Sequence, residues 1–467
     1  MTLQLPRAYQ PRLESLGPVN HAVISQGTTV RSRGRRAGVL TRLAPFGWLA
    51  LVGVVSASWL TLHTDGDWRF YYQIAEMAGR GLHPFLDYWS EYPPVFPLLL
   101  AGVQHAVGPA LWVDQDSFTR AYIVFMSLVY LANMVLVWDL ARRAYKAREA
   151  RIAVVLYACC PAIAWSTLGW FDGVAVLLLL LGMRAMLAGH ASRTGVLMAL
   201  GVATKIFPGI LLLAVPAVFD RRGTLRVGVA LSAVLLIVLL PFAVLRPDLL
   251  WATAVSMATR SPWETVPALL NGNYLFGVVA PIADRFTAES AREEPTALGT
   301  LTLLLQFATA FTAVVMAWHQ ARRRPLAARD VFALCAFSTC ALLLGSKGFS
   351  PQYLLWLLPL LVLTWPNRVG MMYIAAFSLH AFLYYELWFP DIMRYYDLHA
   401  IPLEQVAQSV WLSVLMCTAL LAMVWCHLFI RLARTQALAS TRILKFQIND
   451  RIRSSFTRLR GHIGAYA

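Results

Sequence analysis

Charge is scarce in this chain. Asp, Glu, Lys and Arg make up 14% of its residues, about half the usual globular share. The hydrophobic fraction is 58% and the mean hydropathy +0.59, which leaves too little polar surface to cover a soluble fold of 467 residues. Acidic residues are the scarcer sign, 24 against 40 Lys and Arg, for a net charge of +16. The basic residues stand in short clusters between apolar runs, the bias of cytoplasmic loops rather than a phosphate-tracking stripe, so no nucleic-acid partner is expected. Cysteine is sparse too. Cys159, Cys160, Cys335, Cys340, Cys417 and Cys426 all lie inside apolar runs without metal-ligand spacing and read as buried thiols. No internal repeat relates the two halves, which weighs against a transporter. Residues 1–41 are polar and arginine-rich, too long and too polar to be a secretory leader, and are expected to form a disordered cytoplasmic tail.

Long apolar runs are what the chain has. They fall near 43–62, 118–140, 152–168, 172–188, 193–204, 206–219, 225–245, 298–318, 328–345, 353–365, 369–386 and 405–430, and predict an all-α polytopic membrane protein with about twelve transmembrane helices. The run 94–110 is ambiguous. Counting it as a span puts Arg142, Arg143, Lys146, Arg148 and Arg151 outside. Laying it along the outer interface keeps them inside, together with Arg221, Arg222, Arg226, Arg322 to Arg324 and the basic tail 433–467. We therefore expect 94–110 to be a juxtamembrane helix, both termini to be cytoplasmic, and the membrane domain to cover 42–432 with its first outer loop at 63–117.

That parity collects the remaining unusual polar residues on the outer side: Asp65, Asp67, Glu91, Asp172, Lys205, Arg260, Glu264, Lys347, Gln352 and Arg394. Several sit within or at the ends of apolar segments, where charge is penalised unless it serves a purpose. The loop Asp65–Pro94 packs five carboxylates, two arginines and many aromatics together. Lys205, in Thr204-Lys205-Ile206-Phe207-Pro208-Gly209, separates two runs each too short to span, with Pro208 suited to a helix start. A lysine beside a helix N-terminus makes a phosphate or carboxylate site. Lys347, in a small glycine-containing turn, offers an ammonium to an anion. Arg260 can supply a bidentate fork or pair with Glu264. Asp65 and Asp67 could hold a divalent cation, but the cationic side chains on the same side can serve an anionic group without one, so no cofactor or metal is expected. His380 faces the outer half of its span, where a core histidine and a substrate-positioning one both fit.

Asp67-x-x-x-Tyr71, Gly81-x-x-Pro84-Phe85-x-Asp87 and Glu91-Tyr92-Pro93-Pro94 resemble the first outer loop of the GT-C glycosyltransferases, in particular the polyprenyl-phosphate-sugar-dependent glycosyltransferase family 87. Trp170-Phe171-Asp172-Gly173, Thr204-Lys205-Ile206-Phe207-Pro208, Arg260 with Trp263-Glu264-Thr265, and Ser346-Lys347-x-x-Ser350-Pro351-Gln352-Tyr353-Leu354-Leu355-Trp356 are similar to motifs of that group, in order from about 65 to 360. The late loop Trp388–Glu404 resembles none of them. The resemblance implies a GT-C fold and an inverting transfer of a sugar, mannose first, from a polyprenyl-phosphate donor to a glycan or glycolipid hydroxyl on the outer face of the plasma membrane. It implies Asp67 as the general base, with Asp65 orienting it or binding a sugar hydroxyl. Lys205, Arg260, Lys347 and Gln352 would hold the donor phosphate. Glu91 and Asp172 would position sugars or close the loop by pairing with cations, and Tyr71, Glu264 and His380 would position substrate. A transporter or flippase of a lipid-linked or anionic substrate is the alternative from another class.

Overall fold

A computed structural model describes residues 67–111, 114–274, 281–292, 297–322, 326–398 and 402–463. The tail 1–41, the first apolar run and Asp65 lie outside the described residues. Among the described residues the chain is helical almost throughout, with isolated bridges at Pro84–Tyr88 and Trp263–Gly348.

Helix ends follow the sequence. Asp114 and Asp220 cap the helices Gln115–Ala144 and Arg221–Leu245 by accepting from the amides of Ser117 and Gly223, both at 2.7 Å. Asn367 caps Arg368–Leu383 through the Val369 amide, and Pro161 opens Pro161–Gly169. Packing sorts the apolar helices into two kinds. Leu354–Thr364 is buried on every side, the signature of a helix inside a bundle. Arg221–Leu245 instead leaves Leu225, Val229, Leu236, Ile237 and Val244 exposed, a surface suited to lipid and not to water.

Four described helices are long and apolar enough to cross a bilayer: Gln115–Ala144, Arg221–Leu245, Ala328–Gly345 and Leu403–Arg434. The expected run 152–168 divides at Cys159–Cys160 into Ala147–Ala158 and Pro161–Gly169, bent by 53°; counted as one span, it makes five. The runs 172–188 and 193–204 form helices of 16 and 14 residues. The run 206–219 becomes a 3-10 turn, Phe207–Leu213, and a single helical turn, Val215–Val218. Val95–Leu111 is a helix of 17 residues whose apolar part, Val95–Ala106, is short of a span, in keeping with a juxtamembrane element. The last helix continues to Ile463, through the segment expected as a tail.

The long helix Gln115–Ala144 separates two chemically different ends. Near its start Tyr122 meets Tyr71 at 5.4 Å between ring centroids. Near its finish Asp139 accepts from Arg143 and Arg184 at 3.0 and 2.9 Å, about 25 Å away at 1.5 Å per residue. Tyr71 and Tyr122 stand at the first end, and Arg142, Arg143 and Arg184 at the second.

Candidate active site

The first end holds a cavity of about 1050 Å³. Asp67, Glu91, Lys205, Arg260, Glu264 and Gln352 line it, together with Arg285 and Tyr92.

Asp67 precedes the helix Trp68–Gly79, which the first outer loop forms against Val95–Leu111. The hydroxyls of Tyr71, one turn on, and of Tyr92 both donate to its Oδ2 at 3.3 Å. Burial, reinforced by the Glu91 carboxylate, raises the Asp67 carboxyl to about 6, against the lowering pull of Lys205. Burial holds the Tyr71 and Tyr92 phenols well above their ordinary range, so both remain hydrogen-bond donors to Asp67. A carboxylate tuned towards neutrality in a cavity wall is suited to accept a proton.

Lys205 ends the helix Ala191–Thr204 in an extended conformation, and the chain then turns at Pro208. Its ammonium meets Asp172 Oδ2 at 3.0 Å and stands 4.7 Å from the Phe171 ring centroid and 5.3–5.6 Å from those of Tyr92, Tyr353 and Trp356. Asp172, fully buried, takes a second hydrogen bond from the Trp356 indole. Asp172 is therefore the counter-ion that fixes Lys205, set behind the cavity wall. This four-ring cage gives the ammonium a fixed position at little cost in rotamer freedom.

Glu91 joins two arginines. Arg260 Nη1 lies 3.5 Å from Oε2 and Arg285 Nη2 3.8 Å from Oε1. The Arg260 guanidinium stacks on Trp263 at 4.1 Å, and that of Arg285 lies 4.9 Å from both Phe70 and Trp89. Three carboxylates (Asp67, Glu91, Asp172) thus stand against three cations (Lys205, Arg260, Arg285). With Asp67 ionised the charges of the two signs cancel, and once it holds a proton the cluster carries one net positive charge.

Four expected site residues lie outside the cavity lining: Tyr71 and Asp172, which hold Asp67 and Lys205 from behind it, and Lys347 and His380, which face elsewhere. The Lys347 ammonium donates to the Ala258 carbonyl at 2.8 Å and is outside the cavity lining. It braces the Arg260 loop, whose Trp263 indole packs on Gly348 so closely that any side chain there would overlap it. His380 is fully buried between Arg368–Leu383 and the last long helix, its Nε2 at 3.2 Å from the Ser413 carbonyl, and is likewise outside the lining. Arg394 lies 3.7 Å from Asp391 and is largely exposed. Among the described residues no group of three or more His, Cys, Asp or Glu stands together in a way that could hold a metal ion; the Asp65 half of the aspartate pair lies outside them.

Residues 93–251 match the family described as dolichyl-phosphate-mannose-protein mannosyltransferase. The matched third of the chain includes Asp172 and Lys205 and ends before Arg260. It supports a membrane glycosyltransferase; the narrower resemblance to glycosyltransferase family 87 rests on the motifs alone. The oligosaccharyltransferase of Archaeoglobus fulgidus, solved in its apo form, is similar at a TM-score of 0.37 and 12% identity, over 80% of this chain and 55% of that one. This chain spans little more than half that enzyme's length, and a likeness so low carries no argument. No curated protein matches the chain.

Sequence reasoning passed over Arg285, Tyr92 as a partner of Asp67, and Trp356 as a partner of Asp172. Arg285 had a signal: it is an arginine left on the acidic side of the membrane, against the positive-inside bias, as Arg260 is.

Proposed function

We propose that the protein transfers a sugar, mannose first, from a polyprenyl-phosphate carrier to a hydroxyl of a glycan or glycolipid at the extracytoplasmic face of the membrane, with inversion. The observation that carries this reading is a single one: Asp67, held by two phenols and raised to about 6, shares a cavity with three cations. In the reaction the acceptor oxygen bonds to the anomeric carbon from the face opposite the phosphate. The anomeric C–O bond to phosphate breaks, and its electron pair leaves on the polyprenyl phosphate. The acceptor's proton passes to the Asp67 carboxylate. A departing phosphate dianion needs fixed positive charge rather than a proton, which Lys205, Arg260 and Arg285 would supply. Gln352 also lines the cavity, as a neutral hydrogen-bonding group.

The cavity also has a long apolar side, with Ile206, Leu235, Leu239, Ala243, Leu250 and Met257 among its lining. An isoprenoid tail suits that side, and a nucleotide does not. About twelve spans, with the cavity outside, remain the topology that accommodates the arginine clusters at the opposite end. The test is transfer by purified protein from a radiolabelled short-chain polyprenyl-phosphate-mannose to acceptors in a membrane extract. The expected result is labelled product with stoichiometric release of polyprenyl phosphate. Transfer from a nucleotide sugar alone would overturn the donor class, and vesicle-to-vesicle movement of the lipid without bond cleavage would favour a flippase.

A further inference from the structure

Away from the charged cluster the cavity has a second polar wall, built around Glu264. This residue is 4% exposed and holds φ +48°, a left-handed conformation that side chains with a Cβ seldom adopt and that costs roughly 1–3 kcal/mol. The loop is pinned into it from several sides. The Trp263 amide donates to the Lys347 carbonyl at 3.3 Å and the Phe349 amide to the Trp263 carbonyl at 3.1 Å. The Thr265 hydroxyl donates to Lys347 at 3.3 Å, and the Asn273 amide to Pro262 at 2.6 Å. Opposite stands a π-helical turn, Tyr384–Trp388, a wide turn found mostly at functional sites. From it the Tyr384 hydroxyl donates to Glu264 Oε1, and the Tyr385 hydroxyl to Gln352 Oε1 at 3.4 Å.

The arrangement is incomplete in one respect. Glu264 Oε2, buried in the cavity wall, makes no hydrogen bond of ordinary geometry, with the Ser350 hydroxyl only in weaker reach of the carboxyl; a buried oxygen so placed is costly unless a ligand relieves it. Burial raises the Glu264 carboxyl to about 8, against the lowering effect of the Tyr384 and Ser350 hydroxyls, so at neutral pH it is an acid with a proton to share. Gln352 has its oxygen engaged by Tyr385, which leaves its amide protons for the cavity. Tyr385 packs on Trp165 at 3.7 Å and Trp170 at 5.8 Å, giving an aromatic surface beside the polar groups. It lies within electrostatic reach of both Glu264 and Asp67. Uncharged hydroxyls on an apolar ring face are the chemistry that matches hydrogen-bonding groups set against aromatic rings.

We propose that Glu264, Gln352, Tyr384 and Tyr385 form a hydroxyl-recognising subsite for the ring of the transferred sugar. The proposal rests on the glycosyltransferase reading. The experiment compares wild type with Glu264→Gln and Glu264→Ala, using polyprenyl-phosphate-mannose and a series of donors that each lack one ring hydroxyl. Glu264→Gln, neutral and of the same shape, keeps the donor KM within about twofold, while Glu264→Ala raises it roughly tenfold or more. For one deoxy donor, wild type loses a similar factor and Glu264→Ala loses nothing further, the coupling that a structural role would not produce. If Glu264→Ala does not fold, Gln352→Ala run on the same deoxy series carries the test. An unchanged KM in the alanine variant, equal losses for Gln and Ala, or no coupling to any hydroxyl would overturn the subsite while leaving the function intact. Absence of transfer by wild type would instead overturn the function itself.

Discussion

Replacing Asp172 by Asn tests the framework on which the site is built. Asp172 is fully buried, and its partner Lys205 retains 14% side-chain exposure at 3.0 Å. Removing one member of a buried pair costs about 3–5 kcal/mol, because the other charge is left uncompensated. Lys205 keeps some water and four aromatic faces, each worth up to about 1 kcal/mol, so the loss should fall to roughly 2–3 kcal/mol. In a chain of this size that lowers the melting temperature by about 2–3 °C. Lys205→Met leaves the carboxylate with only the Trp356 indole and should cost at least as much. The double variant removes both charges and should be less damaged than the sum of the singles by roughly 2 kcal/mol. Thermal unfolding of the four proteins in one detergent reads all three quantities. Additive losses, or a shift under about 1 °C for Asp172→Asn, would refute the claim that this pair fixes Lys205.

Only the ionised Asp67 accepts a proton, so with its carboxyl raised to about 6 kcat/KM should rise about tenfold per pH unit below 6 and level off above it; a rate independent of pH from 5 to 8 would contradict this. Glu91→Gln removes a like charge beside Asp67 and should move that limb to lower pH, with an unmoved limb as the contrary result. Arg285→Ala should raise the donor KM roughly tenfold or more, the cost of one charge-assisted contact; an unchanged KM would remove Arg285 from the phosphate site. EDTA treatment should leave transfer intact, and loss of activity restored by a divalent ion would return a metal to the Asp65–Asp67 pair.

The site was more legible than the span count, for a physical reason. Charges within an apolar chain are costly wherever they fall, so Asp67, Glu91, Lys205, Arg260, Glu264 and Gln352 announce themselves from far-separated segments, and all six line one cavity. The short runs around Lys205 were readable as a break because neither reaches membrane length. Hydropathy, however, measures how apolar a run is and not whether it continues straight. The bend at Cys159–Cys160 and the collapse of 206–219 into single turns leave no trace in it. Side-chain direction was equally hidden. Lys347 and Arg260 look alike as loop cations, yet one turns to a backbone carbonyl and the other to Glu91. Asp172 looked like a group for substrate because its partner Lys205 lies 33 residues away, across a contact that spacing does not reveal.

The central claim is that Asp67 takes the acceptor's proton. Asp67→Asn keeps the side chain's shape and an oxygen for Tyr71 and Tyr92, and removes the capacity to accept a proton. Its most direct test is kcat for transfer from polyprenyl-phosphate-mannose, measured beside donor affinity. The account predicts a fall in kcat of roughly 10²–10⁴-fold with donor affinity nearly unchanged. A variant that transfers sugar at close to the wild-type rate would contradict it.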